Sequence, residues 1–153
     1  MMDMNLRELP HVVVGSLMEV HKELGPGLIR EAYVCCLAHE FRIREILFNQ
    51  DVPISVAYKG LKVATGFTLD FLVEGVMALH VYALDTLENE HKERLRNHLQ
   101  LSELEMGFIV NFDCVDLRKG GLKRLIVSAN EPDMPWRRVD DDNEVNVRRI
   151  HEM

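Results

Sequence analysis

Cysteine is scarce in this chain, and its placement excludes two classes of small protein. Three cysteines occur, Cys35, Cys36 and Cys114, and no CxxC spacing is present. Neighbouring residues on a helix point about 100° apart, so Cys35 and Cys36 do not bridge readily. The sequence therefore predicts neither a disulfide framework nor a zinc ribbon, and it favours a reducing compartment.

Long apolar runs are also missing. Residues 1–11 contain no apolar segment of signal-peptide length, and no run elsewhere is long enough to span a bilayer. We therefore expect a cytoplasmic protein that does not enter a membrane.

An excess of positive charge is the third absence. The formal net charge is -7, whereas broad electrostatic binding to nucleic acid requires a basic face. The composition argues against that mode of binding, but it is compatible with a local basic groove.

What the sequence does contain is enough for one domain with one core, over residues 1–130. Apolar residues at three-to-four spacing predict a helix over 7–24, which Gly25-Pro26-Gly27 ends. Further helices are predicted at about 30–45 and 87–101, and strands within 46–58, at 66–82 (a hairpin), 106–112 and 122–127. Pro53 favours an edge position for the first strand region. This order predicts an α+β or mixed α/β fold, with a central mixed sheet flanked by helices.

Residues 131–153 differ in character from the rest of the chain. Two prolines and the run Asp140-Asp141-Asp142 break the periodicity, and the segment is rich in acids. Trp136 and the stretch 145–147 could dock on the body or on a second subunit. We interpret the segment as a charged C-terminal tail that docks or acts as a dimer arm, giving a homo-oligomer.

The predicted hairpin at 66–82 contains a carboxylate among apolar neighbours. A buried carboxylate is costly unless something pairs with it, so Asp70 marks a site. A three-residue loop at 74–76 would place Asp70 opposite His80, whereas a two-residue loop would place it opposite Leu79. Alternation puts Thr68, Asp70 and Leu72 on one face and Phe67, Leu69 and Phe71 on the other, and on the return strand Ala78, His80 and Tyr82 share a face. We prefer the three-residue loop because it gathers the polar groups on one face.

Three motifs carry a resemblance to a known family. The stretches GPGLIREAY (25–33), VPISVAYKG (52–60) and LDFLVE (69–74) resemble the GxxExxY proteins of the PD-(D/E)XK nuclease-like superfamily. The resemblance spans about residues 8–128. It implies a nuclease-like core in which an Asp and a Glu hold a divalent metal, Mg²⁺ or Mn²⁺, and a nearby Lys helps to activate water.

The chain departs from that pattern where the chemistry would occur. Asp70 matches the family Asp, but His80 stands for the Glu and Tyr82 for the Lys. Arg30 replaces the Glu of the name motif, with Glu31 one residue later.

The helix that often carries a Gln and a Tyr has Arg94 and His98 instead, whereas Gly27, Tyr33 and His91 fit the pattern. On a helical wheel, His91, Arg94 and His98 lie on the side expected to face the sheet. The resemblance thus gives as catalytic positions Asp70, His80 and Tyr82, as substrate-binding positions Arg30, Tyr33, Arg94 and His98, and as metal positions Asp70 and His80.

These departures favour a domain that no longer cuts and is retained as a binding or assembly module, with nucleic acid as a possible partner. The alternative is a metal-dependent nuclease whose site is rebuilt from Asp70, His80 and His98 with Mn²⁺ or Zn²⁺, or whose carboxylate has moved to Glu31 or Asp85. The simpler interpretation of the same residues is a pair of hydrogen-bonded histidines and an arginine paired with Asp70.

Overall fold

The computed structural model describes residues 7–127 and the backbone of two short strands at 139–141 and 147–148. The helices are α1 Leu9–Leu24, α2 Arg30–Ile43 and α3 Asn89–Leu101. The strands are β1 Phe48–Tyr58, β2 Leu61–Val73, β3 Met77–Tyr82, β4 Met106–Asn111, β5 Leu122–Val127, β6 Val139–Asp141 and β7 Val147–Arg148. An irregular helical turn at Leu117–Gly121 leads into β5.

The strands form one mixed sheet whose spatial order is the order of the chain, from β1 to β7. Neighbouring strands are antiparallel except β3 and β4, which are parallel and are joined through α3. A parallel pair needs a crossover of this kind, because its strands start at the same end of the sheet. The predicted mixed sheet flanked by helices is confirmed, and β1 occupies an edge, as Pro53 indicated.

Helices cover both faces of the sheet and divide the core into two clusters. The first packs α1 and α2 against side chains such as Phe71, Leu79, Val81 and Phe108. The second packs α3 against the opposite face, where Ile54, Leu69, Ala78 and Ile109 lie. Below, these are the α1/α2 face and the α3 face.

The predicted end of the first helix is confirmed. Gly25 takes a φ of 69° and its N–H bonds to the carbonyl oxygen of His21, which closes α1. Among residues 7–127, no helix has the length and apolar character needed to cross a membrane.

The predicted alternation along β2 is wrong around Asp70: Leu72 packs on the α3 face with Leu69, whereas Asp70, predicted to share the face of Leu72, binds Arg30 of α2. Phe71 packs on the α1/α2 face, whereas Leu69 packs on the α3 face, although both were assigned to the same face as Phe67. The reason is a break in the β1–β2 ladder: Asp51 and Asp70 are not paired, and Asp51 has a φ of 53°. Strict alternation requires uninterrupted extended backbone, so the face changes where the ladder is interrupted.

Beyond a second irregularity, the β1–β2 hairpin continues as a narrow arm. Ser55–Tyr58 pair with Leu61–Ala64, and Lys59 and Gly60 form the turn with φ values of 48° and 88°. Most side chains of this arm are exposed, including Tyr58, Leu61 and Val63. We call residues 55–64 the hairpin arm.

The backbone of the tail adds two short strands at the other edge. Val139 pairs with Val127, and Val147 pairs with Asp141. Trp136, Val145 and Asn146 fall outside the described residues, as does any contact with a second subunit.

Candidate functional site

The loop between β2 and β3 has the predicted length. Val73 pairs with Met77, which leaves residues 74–76 in the loop, and Glu74 and Gly75 take positive φ values of 52° and 72°. The register therefore places residue 70 level with residue 80. The ladder stops at the pair Phe71 and Leu79, however, before it reaches Asp70.

Side chains replace the missing strand bonds at Val81. If the β2–β3 ladder continued in this register, Val81 would pair with Leu69. Instead, the Val81 N–H donates to Oδ2 of Asp70 at 2.7 Å. The Val81 carbonyl accepts from Nε of Arg30 at 2.9 Å. Arg30 Nη2 and Asp70 Oδ1 are 2.6 Å apart. We call this unit the Arg30–Asp70 bridge. It satisfies both backbone groups of Val81, so it closes the gap between β2 and β3.

Asp70 is therefore committed to the protein through both oxygens. Burial raises the pKa of the Asp70 carboxyl above its ordinary value, and the Val81 N–H and the Arg30 guanidinium oppose that rise. Asp51, the residue level with Asp70 on β1, raises the same pKa further. The sequence analysis missed Asp51; an acid inside a predicted strand, two residues before Pro53, was the available signal.

Two histidines form a second pair under α3. His98 Nδ1 and His80 Nε2 are 3.2 Å apart, and His80 exposes only 3% and His98 only 4% of its surface. Among the described residues, His80 Nδ1 has no hydrogen-bond partner. Burial lowers the pKa of His80 to about 3, with further lowering by His98 and Arg94. Burial also lowers the pKa of His98 to about 4, and Arg94 adds to this. Both rings are therefore neutral near pH 7.

Arg94 connects the rest of the α3 face. Its guanidinium lies 5.2 Å from the centre of the Phe67 ring, and its positive charge lowers the pKa of the Tyr82 hydroxyl, against the larger effect of burial. The Tyr82 ring meets the edge of His91 at 4.8 Å, and burial raises the pKa of its hydroxyl. The predicted grouping of Arg94, His91 and His98 towards the sheet is confirmed.

Tyr33 lies away from this group, in the core. Its side chain is fully buried and stacks on Phe112 at 4.5 Å. Its hydroxyl donates to the Gly25 carbonyl at 2.6 Å and accepts from the Leu28 N–H at 3.2 Å. These bonds fix the loop that precedes α2, and so they position Arg30 at the start of that helix.

One comparison with known proteins identifies the family. A model of the PD-(D/E)XK nuclease superfamily matches residues 7–125. The chain belongs to the PD-(D/E)XK nuclease superfamily. No curated protein and no solved structure gives a significant match.

The metal that this superfamily implies fits the residues present poorly. Mg²⁺ prefers several oxygen ligands, but the bridge carboxylate is already bound to a guanidinium and a backbone N–H. His80 contacts His98, not Asp70. Within residues 7–127, no group of three or more His, Cys, Asp or Glu side chains converges in a way that could hold a metal ion.

The other candidate carboxylates of this PD-(D/E)XK domain lie at the surface. Glu31 exposes 72% of its side chain and approaches Arg30 at 3.9 Å, and Asp85 is exposed in the segment after β3. The arginine partner of Asp70 is Arg30. The simpler interpretation of the sequence had suggested Arg94 as that partner. The sequence separation of Arg30 and Asp70 left no local signal for this pair.

Proposed function

We propose that this domain is a GxxExxY-type member that does not hydrolyse phosphodiesters by the two-carboxylate metal mechanism and acts as a nucleic-acid-binding module. The observation that carries the proposal is the Arg30–Asp70 bridge. A guanidinium at 2.6 Å from the carboxylate repels a divalent cation and competes for the same oxygen. A metal could reach only the lone pairs that Arg30 and the Val81 N–H leave free, beside a fixed positive charge.

The two positions that should supply the Glu and the Lys also argue for this. His80 is neutral and turned towards α3, so it offers no negative charge to a hard cation. Tyr82 is a neutral phenol, so it lacks the positive charge of a lysine. Its pKa is raised, so it is not a ready base either. The pair therefore supplies no substitute for the missing chemistry.

The hairpin arm supports binding. Between Asp51 and Asp70 the charged residues are Lys59 and Lys62, with no acid between them, in a chain whose net charge is -7. Tyr58 in the arm exposes 60%, and Phe67, which follows the arm on β2, exposes 47%. Exposed rings beside cations suit single-stranded nucleic acid, because bases stack on the rings while lysines meet the backbone phosphates.

The first experiment is a cleavage assay on single-stranded DNA, double-stranded DNA and RNA, with Mg²⁺, Mn²⁺ and Zn²⁺ in separate reactions. We expect no cleavage with any metal. Cleavage that disappears in Asp70→Ala would overturn the proposal and favour a rebuilt Asp/His nuclease site.

Binding is tested with the same oligonucleotides, fluorescently labelled and followed by anisotropy at low salt. The double variant K59Q/K62Q should weaken binding to single strands by about tenfold or more and lower its salt dependence. K22Q/K119Q removes the same charge from exposed sites elsewhere and serves as the matched control. Equal effects of the two double variants would remove the hairpin arm from the proposed interface.

An assembly role for residues 131–153 is the remaining part of the proposal. The mass of the full chain in solution, measured by light scattering, tests it. A monomer at all concentrations would leave the tail without a role as a dimer arm.

A further inference from the structure

The outer face of α2 carries two cysteines and a histidine at the surface. Cys35, Cys36 and His39 are all exposed, and both thiols are free. Exposed cysteine is unusual, because cysteine is among the residue types most often buried in proteins. The inner face of the same helix already holds its buried side chains, which are Tyr33, Leu37, Ala38 and Phe41. Packing therefore does not explain why the three exposed side chains lie together.

The spacing of Cys35 and His39 suits a metal ion. Residues four positions apart lie one above the other on a helix, with Cβ atoms about 5–6 Å apart. Zinc binds a thiolate sulfur at about 2.3 Å and an imidazole nitrogen at about 2.0 Å, so both side chains can reach one ion from that separation. Two histidines at the same spacing form part of a known helical zinc motif. Within residues 7–127, no hydrogen bond or ion pair engages the Cys35 thiol or the His39 ring.

One chain supplies only two ligands at this point, whereas a structural zinc site takes four in a tetrahedral arrangement. The described part of the chain holds no group of three or more His, Cys, Asp or Glu side chains that could bind a metal. The site is therefore incomplete without a second molecule, and a second copy of this chain offers the same two ligands. Two thiolates and two neutral imidazoles form a Cys₂His₂ set, in which the two thiolate charges balance those of the ion.

The surface around the pair is complementary to its own copy. If two α2 helices meet antiparallel about a two-fold axis midway between Cys35 and His39, Cys35 of one copy lies level with His39 of the other. The same symmetry brings Glu31 level with Ile43, next to Arg42. Glu31 exposes 72% of its side chain, Ile43 exposes 61%, and Arg42 is exposed. Each end of the contact would therefore bury an apolar side chain and place an acid near a cation.

We propose that Cys35 and His39 bind Zn²⁺ jointly with the same two residues of a second copy, with one ion for two chains. The ion replaces the S–H proton of each thiol, so two protons pass to solvent and nothing is oxidised. Assembly through α2 uses neither the hairpin arm nor residues 131–153, so it is independent of the proposed function.

The test is the mass of the full chain in solution, measured by light scattering in a buffer whose phosphine reductant prevents disulfides. We expect the mass to double when Zn²⁺ is added at one ion for two chains, and to return to its first value when EDTA removes the ion. Elemental analysis of the zinc-loaded protein should give the same ratio. Co²⁺ in place of zinc should give the absorption bands of a tetrahedral site with thiolate ligands.

Variants identify the ligands. C35S and H39Q should each abolish the zinc-dependent doubling of mass, because each removes two of the four ligands of the shared ion. C36S removes the neighbouring thiol, and H11Q removes an exposed histidine of α1, so both should retain the doubling. Cys35 and His39 are exposed. Without zinc, C35S and H39Q should therefore unfold at the same urea concentration as the natural chain.

Several results would overturn the proposal. One is a mass that is the same in zinc and in EDTA; if that mass is of two chains, the tail becomes the better candidate for the dimer contact. Another is an equal loss of the doubling in C35S and C36S. A doubling that is lost in H11Q but kept in H39Q would assign the ion to α1 instead.

Discussion

The buried histidine pair predicts an unusual loss of stability in mild acid. His80 and His98 are neutral in the folded protein, because burial lowers their pKa values to about 3 and about 4. In the unfolded chain a histidine titrates near pH 6.5. The unfolded state therefore binds more protons below that pH, and folding stability falls as pH decreases from about 6.5 towards the folded-state values.

The magnitude follows from the two pKa values. At about pH 5.5, about ten unfolded histidines are protonated for each one that is neutral. Protonation then stabilises the unfolded state by about 1.4 kcal/mol for each histidine that stays neutral in the folded protein. Both side chains are almost fully buried. The pair should therefore lower the free energy of unfolding by about 3 kcal/mol between about pH 7.5 and about pH 5.5.

The assay is urea unfolding followed by circular dichroism across that pH range. His98→Gln removes one of the two titrating groups, so the pH-dependent loss should fall by about half. His39→Gln removes an exposed histidine and is the matched control. A loss that is the same in His98→Gln and in the natural chain would refute the reasoning, since the pair would then not be the source.

Three further predictions concern stability and are measured by denaturant unfolding. Arg30→Met should lower the free energy of unfolding by about 2 kcal/mol, because it leaves the half-buried Asp70 carboxylate without its cation. Asp70→Asn should lower it by less, because the amide oxygen still accepts from the Val81 N–H. Equal losses in the two variants would contradict the bridge. Tyr33→Phe should cost about 1–2 kcal/mol and speed hydrogen exchange at the Leu28 amide; unchanged exchange would contradict the role of the hydroxyl in that loop. Gly107→Ala should cost about 1–3 kcal/mol, because its Cβ would lie 3.0 Å from the Ala78 carbonyl oxygen and 3.2 Å from Leu95; a neutral result would mean that β3 and α3 yield easily.

Local chemistry allowed much of the fold to be predicted. The glycines and proline at 25–27 ended α1 because of their own backbone preferences, and the loop at 74–76 followed from Gly75. The prediction that Ala78, His80 and Tyr82 share a face was also correct. Strict alternation holds along β3, because this strand pairs regularly with β4.

The errors and omissions came from interactions between distant parts of the chain. The side-chain direction of Leu69 depends on Asp51 and on the break in the ladder, which no alternation rule contains. The Arg30–Asp70 bridge joins α2 to β2 and β3, so neither residue alone indicates it.

The Arg30–Asp70 bridge also bears on how such a chain changes over time. Loss of Asp70 alone strands a guanidinium, and loss of Arg30 alone strands a carboxylate, so either single replacement costs stability before any second one can compensate. Asp70 is then maintained by the fold itself, with or without a catalytic role. The presence of Asp70 at this place in the sheet is therefore not by itself a sign of catalysis.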